Sequence, residues 1–443
     1  MTSNASKTFF MRSLSARGYS AKPQAQPASL KTLEIEGTLL PNKLSVATAE
    51  NRSAVSRVSV LVKAGSRYEE YSNQGCAHML RIAAGLSTKN SSQFAITRSI
   101  QQLGGRLTCT SDRETIAYTL DIPRDKLEQG LKFLSDVSCK QVFYPWELLD
   151  SLPRLKYELA SSSHSVRAID MLHKAAFRTG LGNSIYCPKW QIGKISSEAL
   201  SHFVATNFTT NRTAVVGLGT RHDEIVNFAQ NMLALECGEP SCTTAKYVGG
   251  ELRKDKGGDL ASVALGVSGA GLNNAEEVLA FSVLQHALGT GSNVVWGNSN
   301  SPLGKALSNI PNVGATAFNA SYSDNGLFGV LVTAPAEHVG EAVEKALSAL
   351  RSGNISSEAV ARAKNQLKSA VLMSLESGDS FTSDMGMQAL LTGTVKSAPV
   401  IAAAIDAVSV SDVTAVAKRA AAGKLSLAAI GNLKNVPYLD QLK

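Results

Sequence analysis

The feature that most constrains the fold of this 443-residue chain is an internal duplication. Two segments alternate apolar and polar residues around polar turns at Asp112 and Asp324, which lie 212 positions apart. Each half also closes with a helical pattern and an apolar strand that ends in glycine, at Gly217 and Gly431, 214 positions apart. Two independent landmarks that agree within about two residues predict two copies of one unit of about 200 residues.

The two copies repeat one order of elements. The first has two strands, a helix, a hairpin and a further helix, at Leu44–Val62, Gly75–Gly85, Arg106–Ile122 and Arg124–Val137. The second has a strand, a helix, a hairpin and a helix, at Leu260–Val267, Ala275–Leu288, Val313–Thr333 and Val339–Arg351. This order predicts an α+β fold in which each unit is a mixed or antiparallel sheet packed with helices. Because about 200 residues suffice for one domain, each half is expected to bury a core.

The N-terminal segment predicts an import signal. Residues 1–33 are rich in serine and hold five Lys or Arg residues and no acid, which accounts for most of the net charge of +8. This composition is typical of a mitochondrial transit peptide; the alternative is a tail of accidental composition. The tetrapeptide RGYS resembles a matrix processing site that is cut between Tyr19 and Ser20. We therefore expect a transit peptide over 1–19 and an extended lead-in over 20–33.

The rest of the chain divides at a polar segment. Residues 237–256 are rich in Gly, Lys and Thr and predict a linker between an N-terminal domain, 34–236, and a C-terminal domain, 257–443. Neither domain clusters Lys and Arg with aromatic residues, so a nucleic-acid partner is not expected. No run of about 18 uncharged apolar residues predicts a membrane-spanning helix. The six scattered cysteines argue for a reducing compartment and against a disulfide framework.

The duplicated α+β plan, with a histidine-containing helix in its first half, resembles the pitrilysin-type, inverted-motif zinc peptidases. That family includes the mitochondrial processing peptidase and the core proteins of ubiquinol–cytochrome c reductase (respiratory complex III). The resemblance covers about Leu33 to Leu442. Several uninterrupted runs are most similar to the core proteins: KAGSRYE (Lys63–Glu69), NSIYCPKWQIGK (Asn183–Lys194), FSVLQHALG (Phe281–Gly289), FNASYSDNGLFG (Phe318–Gly329) and GNLKNVPYLDQL (Gly431–Leu442).

The motif that carries the chemistry of this family is degenerate here. Active members place His-x-x-Glu-His on a helix, where two imidazoles hold Zn²⁺ and the Glu deprotonates the metal-bound water. The matching positions read HMLRI, so His78 matches the first imidazole, Arg81 replaces the base and Ile82 replaces the second imidazole. Glu158 falls roughly at the position of the distal ligand. At ~5 Å and an effective dielectric of ~20, the Arg81 guanidinium would repel a cation by about 3 kcal/mol per unit charge. The resemblance therefore implies no catalytic, metal or cofactor site.

A fold that has lost this chemistry is expected to serve assembly. The resemblance implies a peripheral subunit on the matrix side of the mitochondrial inner membrane that binds no haem, quinone or iron–sulfur cluster. The implied partners are the paralogous core protein 1, cytochrome b, cytochrome c1, the iron–sulfur subunit and the small subunits of complex III. A charged fraction of only 18% is consistent with a surface partly covered by partners.

Three alternatives stay open. The first is the non-catalytic, substrate-recognising subunit of the processing peptidase, although its glycine loop is denser than Leu288–Ser301, which is rich in Asn and Ser. The second is an active metallopeptidase, and the third is a stand-alone binding protein.

Overall fold

The computed structural model describes residues 33–238, 243–291, 301–353 and 355–442. The predicted transit peptide, its cleavage position at Tyr19 and Ser20, and the lead-in up to Thr32 lie outside the described residues. The strands in the described ranges are β1 Ile35–Leu39, β2 Ser45–Ala49, β3 Val55–Val62, β4 Arg106–Ser111, β5 Ile116–Pro123, β6 Thr213–Leu218, β7 Glu251–Asp255, β8 Leu260–Ser268, β9 Gly314–Ser321, β10 Gly326–Pro335 and β11 Ser426–Gly431.

The α-helices in the same ranges are α1 Cys76–Ala83, α2 Gln93–Gln102, α3 Leu127–Cys139, α4 Pro145–Ser161, α5 His164–Phe177, α6 Ser197–Asn207, α7 His222–Asn231, α8 Ala275–Leu288, α9 Pro302–Leu307, α10 Val339–Arg351, α11 Ser357–Glu376, α12 Gly378–Leu391, α13 Ala398–Ala407 and α14 Val410–Ala422. No single one of these helices is both long and apolar enough to span a bilayer; α13 and α14, bent by 78° at their junction, reach that length and composition only together.

The duplication is visible in the two sheets. The N-terminal sheet has the order β1-β2-β6-β3-β5-β4, and the C-terminal sheet has the order β7-β11-β8-β10-β9. In both, a parallel pair (β2 with β6, β7 with β11) is followed by antiparallel neighbours only. The sheets therefore share one five-stranded topology, to which the first adds β1 at its edge. The predicted α+β fold with two homologous units is confirmed.

Most predicted elements lie where the pattern placed them. The helices α8 and α10 begin and end at the predicted residues, and both hairpins form, as β4–β5 and β9–β10. The predicted linker over 237–256 is not uniformly irregular, because its residues 251–255 form β7. This polar strand, ELRKD, lies at the edge of the C-terminal sheet, where half of its backbone groups need no partner strand. From Glu34 onward the chain forms one compact unit, and the predicted domain boundaries stay a prediction.

Each half buries a core on one face of its own sheet. The N-terminal core is centred on Tyr118, Phe203 and Phe228, and the C-terminal core on Phe281 and Phe328. All members of each cluster come from one half of the chain. In the intact chain each half therefore buries a core of its own on that face.

The opposite face of each sheet is covered by a helix from the other half. The helix α5, from the N-terminal half, packs on β8 and β11, while α12, from the C-terminal half, packs on β3 and β6. The two helices occupy equivalent places, since both of their ends are 214 positions apart. We call α5 and α12 the exchanged helices.

Side-chain size is complementary at these two contacts. Leu172 of α5 faces Gly266 on β8, where an added Cβ would lie 2.8 Å from the leucine. At the repeat position equivalent to Leu172, α12 has Gly386, and Leu61 on β3 fills the space. Each sheet therefore accepts only its own exchanged helix without repacking.

Candidate functional site

The segment HMLRI, at the predicted position of the zinc motif, lies on α1, a short helix held at its start by Glu69. The Glu69 carboxylate accepts the backbone N–H groups of Gly75 at 2.9 Å and Ala77 at 2.8 Å. Burial raises the pKa of Glu69 to about 8, although these two hydrogen bonds act in the opposite direction. Gly75 adopts a φ of +93° and its Cβ position would meet Cys187, so glycine is required where the chain enters α1.

His78 is buried, and both of its ring nitrogens are occupied. Its Nδ1 accepts the backbone N–H of Cys187 at 3.1 Å, so the proton lies on Nε2, which donates to Oε2 of Glu158 at 3.2 Å. Burial, more than any neighbouring charge, lowers the pKa of His78. The imidazole and the Tyr186 ring are nearly perpendicular, with centroids 5.8 Å apart. The histidine is thus a neutral group fixed between α1, α4 and the segment that follows α5.

Arg81 binds the same carboxylate. Its guanidinium forms an ion pair with Oε2 of Glu158, and Arg154 approaches Oε1 at 3.5 Å. Burial raises the pKa of Glu158, but the hydrogen bonds and charges of Arg81 and His78 outweigh it and hold that pKa below its usual value. The structure therefore brings His78, Arg81 and Glu158 together. Ile82 is not part of this cluster, since its side chain is buried in the N-terminal apolar core.

These residues do not fit a zinc ion. No three His, Cys, Asp or Glu side chains converge in a metal-ligand arrangement within the part of the chain that the structure describes. The guanidinium of Arg81 occupies one side of Glu158, and a catalytic zinc needs three protein ligands. No metal-dependent step can be derived from this geometry.

Family models match most of the chain. The description "Insulinase (Peptidase family M16)" covers residues 45–189, and "Peptidase M16 inactive domain" covers residues 194–367. The chain belongs to peptidase family M16. It is 41% identical over 422 residues to the mitochondrial cytochrome b-c1 complex subunit 2 of Rattus norvegicus, which covers 93% of each chain. It is 27% identical over 430 residues to a probable mitochondrial-processing peptidase subunit alpha-2 of Arabidopsis thaliana, which covers 94% of this chain and 85% of that protein.

A solved structure has the same fold as this M16 chain. A chain of "Complex III2 from Candida albicans, Inz-5 bound" superposes with a TM-score of 0.78 at 20% identity, over 92% of this chain and 98% of that one. At this identity the match concerns the fold alone.

A polar cluster between the two M16 units was not found by motif analysis. The two hairpin turns face each other, and Arg67 bridges them: Nη1 lies 2.7 Å from Glu114 Oε1, and Nη2 lies 2.5 Å from Asp324 Oδ2. The side chains of Arg67 and Glu114 are 3% exposed and that of Asp324 is 18% exposed. The hydroxyl of Ser323 donates to Glu114 at 2.6 Å. We call Arg67, Glu114, Ser323 and Asp324 the turn cluster.

Two members of the turn cluster lie in sequence runs that carry the family resemblance, which is the signal that could have identified them. Arg67 lies in the run Lys63–Glu69 and Asp324 in the run Phe318–Gly329, both of which carry the family resemblance. A second link joins the halves nearby, where the Tyr322 hydroxyl donates to Nε2 of the buried His173 at 2.9 Å. The Nδ1–H of His173 donates to the Ile169 carbonyl at 2.8 Å, so this histidine is structural.

Proposed function

We propose that the chain is a non-catalytic structural subunit, core protein 2, of the mitochondrial ubiquinol–cytochrome c reductase complex. The observation that carries this proposal is the 41% identity to the rat subunit 2 over 93% of both chains. In this role the protein supports electron transfer from ubiquinol to cytochrome c by holding the complex together.

The geometry of the degenerate motif supports a non-catalytic role. A general base must accept a proton, and the guanidinium of Arg81 is always protonated. His78 has no nitrogen lone pair free, because Nδ1 accepts from Cys187 and Nε2 donates to Glu158. The same three side chains form a stable ion-paired group, which serves to join α1 to α4.

The exposed surface supports assembly. Large aromatic side chains lie uncovered on the N-terminal half, where Tyr144 stacks on Trp146 at 4.6 Å and Tyr71 on Trp190 at 5.3 Å between centroids. Trp146 is 61% exposed and Tyr71 is 79% exposed. Aromatic residues are enriched at the centres of protein interfaces. The partners we propose are core protein 1, cytochrome b, cytochrome c1, the iron–sulfur subunit and the small subunits, on the matrix face of the inner membrane.

Processing belongs to the same proposal. Cleavage between Tyr19 and Ser20 would remove residues 1–19 after import, so that the assembled subunit begins with the lead-in over 20–33.

Assembly is tested by removing the partner. When the paralogous core protein is depleted, we expect the level of this chain to fall several-fold, because a subunit without its partner loses the stability that binding supplies. Native gels of solubilised mitochondria should show the chain migrating with cytochrome b, with an unrelated matrix enzyme as the control. An abundant, monomeric chain in the depleted cells would contradict the proposal.

The absence of zinc chemistry is a separate prediction. The purified chain should contain no stoichiometric zinc, and chelators should leave its melting temperature unchanged. The single changes Arg81→Glu and Ile82→His should create no peptidase activity, because each leaves one required group missing. Elemental analysis beside an active processing peptidase provides the control, and one zinc per chain would refute the interpretation.

A second candidate is the substrate-recognising subunit of the processing peptidase, favoured by the 27% identity to the Arabidopsis alpha-2 subunit. The sequence feature that distinguishes these two candidate functions is the glycine content of Leu288–Ser301. Residues 292–300 of that segment lie outside the described residues. Mixing the chain with a catalytic beta subunit and a presequence peptide distinguishes the two functions, since only the recognising subunit should stimulate cleavage.

A further inference from the structure

A basic cavity lies between the two halves. It has a volume of about 240 Å³ and is bounded by α5, by the segment over 182–189 and by β7. Apolar atoms of Met171, Pro188 and Ile430 form part of its wall. Five of its lining side chains are cationic: Arg167, Lys174, Arg178, Lys189 and Lys254.

In the part of the chain that the structure describes, these cations have no acidic partner. None of the five forms an ion pair within the described ranges of the chain. One carboxylate, Asp170, lines the cavity, and it is already bound by Arg113 at 2.6 Å and by the Ser184 hydroxyl at 2.6 Å. Burial and the charges of Lys256, Arg167 and Lys189 lower the pKa of Lys254. The cavity therefore concentrates positive charge that the described chain does not neutralise.

The repeat shows that these charges are not needed to pack the exchanged helix. At the positions of α12 that lie 214 residues after Arg167, Lys174 and Arg178, the chain has Phe381, Gln388 and Thr392. In the C-terminal sheet Lys254 pairs with Ile430, whose equivalent in the N-terminal sheet is Val216. Val216 pairs with Ala47, so Ala47 is the counterpart of Lys254. One copy of the repeat thus carries four cations where the other copy carries none.

The backbone at Arg178 adds a second observation. This residue ends α5 with a φ of +63°, a region that favours glycine over all other residues. Arg178 therefore adopts an unfavourable backbone conformation, and its guanidinium lines the cavity together with that of Arg167. Arginine forks and lysine ammonium groups together bind phosphate oxygens, because they supply several charge-assisted hydrogen bonds.

We propose that this cavity is a binding site for a phosphate-bearing anion, and that Arg167, Lys174, Arg178, Lys189 and Lys254 hold it. The phosphate group would occupy the cationic wall, and the carbon portion of the ligand would contact Met171, Pro188 and Ile430. Two sources share this chemistry, a soluble phosphate ester and the headgroup of an anionic phospholipid.

Titration with inorganic pyrophosphate tests the site. The full chain, isolated in the assembly that it forms in cells, should show saturable binding by calorimetry at low ionic strength. The double variant K174Q/R178Q should weaken binding by about tenfold or more, because two charge-assisted hydrogen bonds are lost. The matched variant R98Q/K418Q removes two exposed cations that do not line the cavity, and it should change the affinity less than about twofold.

The variant R178G separates binding from folding. Glycine suits the φ of +63°, so this change should keep or raise the melting temperature while it weakens pyrophosphate binding. Absence of saturable binding, or an equal loss in K174Q/R178Q and R98Q/K418Q, would overturn the proposal.

Vesicles distinguish the two sources. Binding to phosphatidylglycerol but not phosphatidylcholine vesicles, competed by pyrophosphate and lost in K174Q/R178Q, assigns the site to a lipid headgroup. Saturable pyrophosphate binding without vesicle binding assigns it to a soluble phosphate ester. Vesicle binding that K174Q/R178Q retains, with no pyrophosphate binding, contradicts the site.

Discussion

Replacing Arg67 by methionine should destabilise the chain by about 3–5 kcal/mol, because it leaves the buried Glu114 and the half-buried Asp324 without their counter-charge. Glu114 and Asp324 both lie within 2.7 Å of the guanidinium, and they belong to different halves of the molecule. The loss should therefore weaken the contact between the halves as well as the fold around each turn. Urea unfolding and the yield of soluble chain measure the effect.

A surface ion pair of the same chemistry provides the control. Arg124 binds Glu50, and their side chains are 40% and 37% exposed, so Arg124→Met should cost about 0–1 kcal/mol. Neutralising the acids together with the arginine, in R67M/E114Q/D324N, should recover part of the loss, since no buried charge is then unpaired. Equal destabilisation by Arg67→Met and Arg124→Met would show that the turn cluster does not join the halves.

Separate expression of the two halves, residues 34–238 and 243–443, should give insoluble protein in both cases. Each half then lacks the exchanged helix that covers its sheet, which leaves the face around Leu61 and Val216, or the face around Leu327 and Ile430, open to water. Burial of each large apolar side chain contributes about 1.5–3 kcal/mol. Loss of several such contacts approaches the whole net stability of a domain, about 5–15 kcal/mol.

Co-expression of the same two fragments is the control for this experiment. It should restore a soluble two-chain protein, because all contacts of the exchanged helices can form without the connection at 239–242. Light scattering and co-purification through a tag on one fragment measure this. A single fragment that is monomeric and unfolds cooperatively would show that the exchanged helices are dispensable.

Much of the fold could be predicted because the chain carries its pattern twice. The hairpins and the helices α8 and α10 have clear apolar periodicity, so their bounds follow from local sequence. The helix α4 could not be predicted from the sequence. Pro153 interrupts its apolar pattern, and only Leu148 and Leu155 are buried. The placement of α5 on the sheet of the other half has no local signal at all, since an apolar face does not specify which sheet it covers.

The residues of the candidate site could be predicted from the sequence, but the hydrogen bonds that fix them could not. The motif positions identified His78, Arg81 and Glu158, and the structure brings all three together. The backbone amide of Cys187, which fixes the tautomer of His78, is 109 residues away in sequence and carries no side-chain signal. The turn cluster was missed for a similar reason, since Arg67 and Asp324 are 257 residues apart.

The exchanged helices are equivalent in the finished molecule but not in the order in which the chain supplies them. The helix α5 ends at Phe177, so it precedes in the chain the strands that it covers, β8 and β11. The N-terminal sheet is complete at Leu218, yet α12 ends 173 residues later, at Leu391. Under the proposed import the chain enters N-terminus first, so the N-terminal sheet is available before α12 can cover its apolar face. We therefore expect the first half of the chain to depend on a holding chaperone more than the second half does.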